Sequence, residues 1–325
     1  MQNKTLLDIK NLQTHFFVRG YTAKALDNVS LTIKAGQTLG LVGESGCGKS
    51  VTAHSIMRLI PDPPGKIVGG EIYFEGQNLL NVSKAAMRKI RGNRISMIFQ
   101  EPMTSLNPVF PVGDQVGEVI RLHQRLSRRE TRERVLEAFQ LVGIPAAASR
   151  LDDYPHQMSG GMRQRVMIAM ALACNPTLMI ADEPTTALDV TIQAQILDLM
   201  NKLKEETGAA ILFITHDLGV IAEMAQFVAV MYAGKVMEYT DVKTIFASPK
   251  NPYTVGLMQS IPVLGRTSHD KRLQTISGMV PSLLNLPSGC LFSDRCQDVF
   301  DDCRHKEPDM YQVADHHLVR CLKYA

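Results

Sequence analysis

Residues 43 to 50 read Gly-Glu-Ser-Gly-Cys-Gly-Lys-Ser, which fits the spacing Gly-x-x-x-x-Gly-Lys-Ser. No other stretch restricts the fold as tightly, because this spacing works only between a buried strand and a helix. Both flanks comply: Thr38-Leu39-Gly40-Leu41-Val42 is an apolar run of strand length, and Val51 to Met57 reads as a helix. The glycines let the backbone curl so that several N–H groups converge on phosphate oxygens, and the helix start adds the positive end of its dipole. The expected nucleotide-binding positions are Gly43, Glu44, Ser45, Gly46, Cys47, Gly48, Lys49, Ser50 and Val51. Lys49 reaches the β- and γ-phosphates in such a loop, and the Ser50 hydroxyl ligates Mg²⁺.

Composition bounds the class. A chain of 325 residues, 45% hydrophobic and 21% charged, buries a large core and is expected to split into a main domain and a smaller one. A net charge of +3 gives no ground for nucleic-acid binding. No apolar run approaches the roughly 18 residues needed to span a bilayer, and Met1 to Thr5 lacks a signal-peptide core. The expected compartment is the cytosol, with docking on a membrane protein still open. Six cysteines in a reducing compartment read as ligands or core residues rather than disulfides.

The pattern along the chain is α/β. Leu6 to Ile33 alternates apolar and polar residues, as strands of an antiparallel sheet do. Gly70 to Gly76 reads as a further strand, and the region from about Pro102 to Met158 carries helical periods, among them Arg132 to Val142 closed by Gly143. Helix Met162 to Ala173, strand Leu178 to Ala181, helix Ile192 to Glu206 and strand Ala210 to Ile214 follow. Beyond Pro249 prolines break the pattern and four cysteines cluster.

Strand Leu178 to Ala181 ends in Asp182 and Glu183. Asp182 is thereby set to hold Mg²⁺, directly or through water, and Glu183 to polarise a water attacking the γ-phosphate. Further upstream, Ser159-Gly160-Gly161 precedes a basic helix and makes a second anion-binding N-terminus. Ser159 also fits an ordinary helix cap.

Ser159-Gly160-Gly161 with its basic helix resembles the signature motif of ATP-binding-cassette ATPases. Gln100 after the strand Ile95 to Phe99, Ala187-Leu188-Asp189 after Glu183, and His216 after Ile211 to Thr215 resemble that family's remaining motifs in order. The likeness covers about residues 5 to 250, although Met158 and Met162 stand where the broad family often has Leu and Gln. The resemblance implies a P-loop NTPase core with an antiparallel β subdomain and a helical signature subdomain at about 102 to 160. It implies catalytic roles for Glu183, His216 and Gln100, with Gln100 joining Ser50 and Asp182 at Mg²⁺. It further implies that each ATP is clamped between one subunit's phosphate loop and the signature residues Ser159, Gly160 and Gly161 of the other, with Asp189 beside them. An aromatic residue ahead of the second strand stacks on adenine in the family; Tyr21 is the best-placed candidate, with Phe16 and Phe17 as rivals.

Cys290, Cys296, Cys303 and Cys321 lack the tight Cys-x2-Cys knuckle of structural zinc sites and suit a cubane cluster better. With Asn251-Pro252-Tyr253-Thr254 they resemble the tail of the peptide-import ATPases of the dipeptide and oligopeptide permease group. That resemblance implies a [4Fe-4S] cluster, with zinc or unliganded thiols as alternatives, in an extension at 251 to 325 whose cysteine site spans about 285 to 325. Cys47 and Cys174 fall outside this set; Cys174 reads as a core residue at a helix end.

The implied assembly is a second ATPase subunit, forming a heterodimer, two transmembrane permease subunits and a periplasmic or extracellular substrate-binding protein. The chain would sit peripherally on the cytoplasmic face of a bacterial inner membrane. Dipeptides or oligopeptides are the expected cargo; nickel, glutathione, sugar and antimicrobial-peptide systems share the pattern. A soluble cassette ATPase would carry both cassettes on one chain or a long coiled coil, and a non-catalytic module would have lost Glu183 or His216.

Overall fold

A computed structural model of the chain describes residues 4–100, 105–186, 188–260 and 275–325. In chain order come β1 (Thr5–Val18), β2 (Tyr21–Lys34), β3 (Thr38–Val42), α1 (Lys49–Ile56), β4 (Gly65–Phe74) and β5 (Gln77–Asn78). Next are α2 (Lys84–Ile90), β6 (Ile95–Ile98), α3 (Val112–Gln124), α4 (Arg128–Leu141), α5 (Gly160–Leu172), β7 (Leu178–Asp182), α6 (Val190–Thr207) and β8 (Ala210–Ile214). The remainder holds α7 (Leu218–Met224), β9 (Phe227–Tyr232), β10 (Lys235–Asp241), α8 (Val242–Ala247), α9 (Pro252–Gln259), β11 (Tyr311–Ala314) and β12 (His317–Val319). The chain folds as two compact units.

The first unit is built mainly from Asn81–Ile214. Its strands β8, β7 and β6 lie side by side and parallel, with Met97 opposite Ile180 and Ile180 opposite Leu212. Every residue of β7 and β8 is buried, as unbroken apolar runs in a parallel sheet require. Val116 and Ile120 of α3, Val135 and Phe139 of α4 and Ile168 of α5 are buried as well. Helix α4 starts at Arg128, ahead of the Arg132 that periodicity marks, because Ser127 and Glu130 form a reciprocal capping box. It ends where Gly143 takes a left-handed φ of +71°.

The second unit contains Leu7–Thr32, Thr38–Leu80 and Thr215–Ala325. One antiparallel sheet has the order β2-β1-β4-β5, pairing buried Leu7 with Phe74 and Ile9 with Ile72. Strand β4 begins at Gly65 rather than Gly70 because a bulge near Asn11 is accommodated by Gly70. Gly70 has a φ of +86°, and a Cβ there would lie 2.5 Å from the Asn11 carbonyl oxygen. A second run of strands, β11-β12-β10-β9-β3, joins β3 to β9 in parallel and the others antiparallel. The residues beyond 310 therefore complete the sheet that carries β3.

The closure of β12 on β10 has a polar core. The Glu238 carboxylate, with no exposed side-chain surface, accepts the backbone N–H of Lys250 at 2.8 Å and of Asn251 at 2.9 Å. His317 Nε2 meets Glu238 Oε1 at 2.7 Å. The Asn251 amide donates to the carbonyls of Met237 at 3.2 Å and Arg320 at 2.8 Å. Replacing His317 by Leu keeps the volume and leaves one carboxylate oxygen short of a partner, which costs about 3 kcal/mol for a buried charge. Thermal unfolding followed by circular dichroism should show a clearly lowered midpoint for His317→Leu and little change for exposed His305→Leu. Equal midpoints for the two variants would remove this pair from the tail's support.

Candidate functional site

The phosphate loop leaves the buried end of β3 and runs into α1. Its backbone has positive φ at Gly43, Gly46 and Gly48, the last being the residue before the helix. Glycine is required at two of these by contact as well as by φ. A Cβ on Gly43 would lie 2.2 Å from the Met231 carbonyl oxygen, and one on Gly48 would lie 2.8 Å from that of Ala25. Helix α1 begins at Lys49, earlier than the Val51 read from periodicity, because the Thr52 N–H already bonds Gly48 at 2.9 Å. Lys49 folds back over the loop: its Nζ donates to the carbonyls of Gly43 at 2.7 Å and Glu44 at 3.1 Å. Cys47 is fully buried, and burial pushes its thiol pKa up.

In the same unit, Tyr21 begins β2 with 64% of its surface exposed, so a ring face is open for stacking. Phe17 is also exposed, whereas Phe16 lies over Gly65. His216 is exposed, just past buried Thr215, whose Oγ1 accepts the Asp217 N–H at 3.0 Å. Asp217 then caps α7, accepting the Gly219 N–H at 2.8 Å.

The first unit carries the acidic pair. Asp182 is buried at the end of β7, and Glu183 turns the chain with a φ of +48°, a strained conformation for a residue with a side chain. The Glu183 N–H is held by the Ile214 carbonyl at 2.9 Å. Its Oε2 accepts from Gln100 Nε2 at 3.1 Å and from Thr186 Oγ1 at 2.9 Å. Gln100 and Glu183, 83 positions apart in sequence, are thus brought together. Ser159 Oγ accepts the Met162 N–H at 3.3 Å as the cap of α5. Asp189 does the same for α6 through the Ile192 N–H at 2.9 Å. Gly161 lies against Ile192: a Cβ there would come within 2.9 Å of its side chain. Ala187, quoted with Leu188 and Asp189, lies outside the described residues.

All four tail cysteines line one small cavity of about 20 Å³, with Met237, Asn251 and Phe292 in its wall. The Cys290 N–H bonds the Cys303 carbonyl at 2.8 Å, and Gly289 permits the approach, since a Cβ there would sit 2.4 Å from that oxygen. The expected metal geometry is not met. Among the described residues no group of three or more His, Cys, Asp or Glu is disposed to hold a metal ion. Burial, reinforced by the neighbouring thiols, pushes Cys290 up to about 11 and raises Cys296 and Cys321 too. Neutral thiols pack as small apolar groups. The donor chemistry of four free thiols suits a thiolate-held group. Cys174 is half-buried just beyond α5 rather than fully in the core.

Sequence reasoning missed two residues. Tyr253 Oη accepts the Glu44 backbone N–H at 3.0 Å, and Arg295 forks onto the Glu44 carboxylate at 2.7 and 2.9 Å. The only available signals were the Asn251-Pro252-Tyr253-Thr254 stretch and an arginine next to Cys296, neither of which names a partner.

In metal-free protein the Cys290 thiol should alkylate slowly at pH 8, where a pKa of about 11 leaves roughly one thiolate in a thousand. Its rate should climb about tenfold per pH unit toward that value. Peptide mapping after iodoacetamide treatment measures this; full labelling of Cys290 in minutes at pH 8 would refute it.

Residues 26–186 match the ABC transporter family, and residues 237–303 match the oligopeptide/dipeptide transporter C-terminal region. The oligopeptide transport ATP-binding protein AppD of Bacillus subtilis is 49% identical over 320 residues, covering 98% of this chain and 97% of its own. The dipeptide transport ATP-binding protein DppD of the same organism is 48% identical, covering 97% and 94%. Among solved structures, the dimeric structure of MJ0796, a bacterial ABC transporter cassette, superposes with a TM-score of 0.66 at 31% identity, covering 73% of this chain and 99% of that one.

Proposed function

The chain belongs to the ABC transporter ATPase family, in the branch with the oligopeptide/dipeptide C-terminal region, and from that premise we propose how its residues power peptide import. It is an ATP-binding and hydrolysing subunit of a dipeptide or oligopeptide importer. The observation that carries the nucleotide site is the glycine-curled loop at the start of α1 with Lys49 tethered to its own carbonyls. A triphosphate offers Lys49 better partners than two neutral carbonyls, so binding exchanges the tether for a charged contact.

Gly43 to Val51 cradle the phosphates, and Tyr21 stacks on adenine. Ser50, Asp182 and Gln100 are the residues that would hold Mg²⁺, which would supply positive charge against the triphosphate. Glu183, steadied by Gln100 and Thr186, takes a proton from the attacking water, and His216 meets the γ-phosphate. The signature segment Ser159 to Gly161, with Asp189 beside it, serves the nucleotide of a second ATPase subunit, a reading supported by the dimer in which the MJ0796 cassette was solved. Ser159 already accepts its own helix N–H, and its hydroxyl proton remains available to a phosphate oxygen.

The partners are a second, different cassette subunit, two permease subunits and a substrate-binding protein outside the membrane, with the chain docked on the cytoplasmic face. Among the described residues no helix is long and apolar enough to cross a membrane. A groove of about 1040 Å³ in the helical part of the first unit, bordered by Phe110, Asp114, Arg121 and Arg132, supports docking of a permease segment there. The cassette is taken as residues 1 to 250 with its helical part at about 102 to 160, and the extension as 251 to 325.

Glu183→Gln should retain MgATP binding and lower phosphate release by the assembled transporter about a hundredfold to ten-thousandfold. Turnover close to that of the unaltered chain would end the assignment of Glu183.

We further assign a [4Fe-4S] cluster to Cys290, Cys296, Cys303 and Cys321, supported by their common cavity. Anaerobically purified chain should carry about four irons and broad visible absorbance, both lost in Cys296→Ser. One zinc per chain would replace the cluster by zinc; colourless, metal-free protein would leave four unliganded thiols as the answer.

A further inference from the structure

The Cys-rich tail reaches into the phosphate loop through a clasp on one residue, Glu44. Arg295 Nη1 donates to Glu44 Oε2 at 2.7 Å and Nη2 to Oε1 at 2.9 Å, a bidentate fork. The guanidinium is fixed on its other sides. It donates from Nη1 to Tyr232 Oη at 3.3 Å and from Nε to the Ser277 carbonyl at 3.0 Å. It also stands 5.7 Å from the Tyr232 ring centre and 5.9 Å from that of Phe292. The Arg295 side chain is 4% exposed and that of Glu44 29%, so the fork is half-buried, shielded from the Arg295 side.

The backbone of Glu44 is held as firmly. Its N–H donates to Tyr253 Oη at 3.0 Å, and Tyr253 is fully buried against Tyr232 and Phe292 with ring centres 4.7 and 5.3 Å away. The carbonyl of that same Gly43–Glu44 peptide accepts Lys49 Nζ at 2.7 Å. One peptide plane therefore has its N–H fixed by Tyr253 and its C=O fixed by Lys49, while Arg295 fixes the side chain that follows. The loop's anion-binding N–H groups lie immediately downstream, and their directions follow from this plane.

We propose that Arg295 and Tyr253 are positioning residues that preorganise the phosphate loop for nucleotide, so that affinity for ATP depends on the docking of the Cys-rich tail. The inference rests on the phosphate-loop reading above. Neither residue touches nucleotide; each acts through Glu44. Preorganisation lowers the ordering that binding must otherwise impose on a glycine-rich loop. Arg295 also precedes Cys296 and follows Phe292, whose ring borders the cysteine cavity, so a shift of the cysteines is passed to the clasp through adjoining residues.

The test is equilibrium MgATP binding by the purified full-length chain, with thermal unfolding of the nucleotide-free chain measured alongside. Arg295→Met keeps the contact with Tyr232 and Phe292 and removes the fork; Kd for MgATP should rise roughly tenfold, the effect of about 1.4 kcal/mol. Arg295→Lys keeps the charge without the fork and should recover part of the loss. Tyr253→Phe deletes one hydroxyl and should weaken binding in the same direction with the fold intact. Glu44→Gln combined with Arg295→Met should weaken binding no more than the worse single change, because both break one interaction. A lowered unfolding midpoint with Kd unchanged in Arg295→Met and Tyr253→Phe would reduce the clasp to a staple for the tail and overturn the proposal. Additive losses in the double variant would overturn it too. Lys49→Ala separates this outcome from failure of the site itself: unaltered MgATP binding by that variant would refute the phosphate-loop reading, whatever Arg295 does.

Discussion

Aiming a row of backbone N–H groups at one anion is possible only where no side chain stands in the way, and that requirement organises the second unit. Gly43 and Gly48 are pressed against the carbonyls of Met231 and Ala25, so the loop is held from β9 on one side and from β2 on the other. Strand β3, buried along its whole length, delivers the chain to the turn, and β9 pairs with it in parallel, Val42 opposite Val230. A methyl group at either glycine would displace main chain rather than a flexible side chain. The loop, β3, β9 and the start of β2 are therefore one mechanical object, and its tolerance for substitution is set by backbone contacts.

What the sequence made legible is what local chemistry alone decides. Strands β3 and β8 run as read from Thr38 to Val42 and Ala210 to Ile214, because a continuous apolar run admits one register between its turns. The motifs singled out Glu183 and Gln100 separately, and the hydrogen bond between them is visible only in the fold. Errors arose where a helix start depends on capping: α4 begins at Arg128 because Ser127 and Glu130 satisfy each other's backbone, a signal weaker to the eye than the apolar period. The clasp on Glu44 was illegible for another reason. Arg295 is 251 positions from Glu44, and a lone arginine in a polar tail carries no periodicity and no spacing that names its partner.

Glu183 shows how strain and function meet. A glutamate with a φ of +48° pays for its conformation through fixed neighbours, here the Ile214 carbonyl on its N–H and Gln100 and Thr186 on its carboxylate. A residue at the end of β7 in extended conformation would continue along the strand direction. The left-handed turn instead directs the chain into the segment that leads to Asp189 and α6. The strain therefore sets where the carboxylate stands, and the two side-chain donors hold it as an acceptor.

The tail presents the reverse balance, little apolar area and many buried polar contacts. Strands β11 and β12 are short, and the residues that attach them to β10 are charged or amide side chains: Glu238, His317, Asn251 and Arg320, the last donating to the Val236 and Pro308 carbonyls at 2.9 Å each. Lys235 is buried between Asp27 and Glu307, adding a tie between β2, β10 and the tail. Apolar contacts are interchangeable in direction, so a small segment held by them alone could settle in several registers. Hydrogen-bonded buried groups accept few arrangements, because each misplaced partner leaves a desolvated polar atom. The tail is therefore fixed in orientation more than it is stabilised, and fixed orientation is what brings Arg295 to Glu44 at fork geometry.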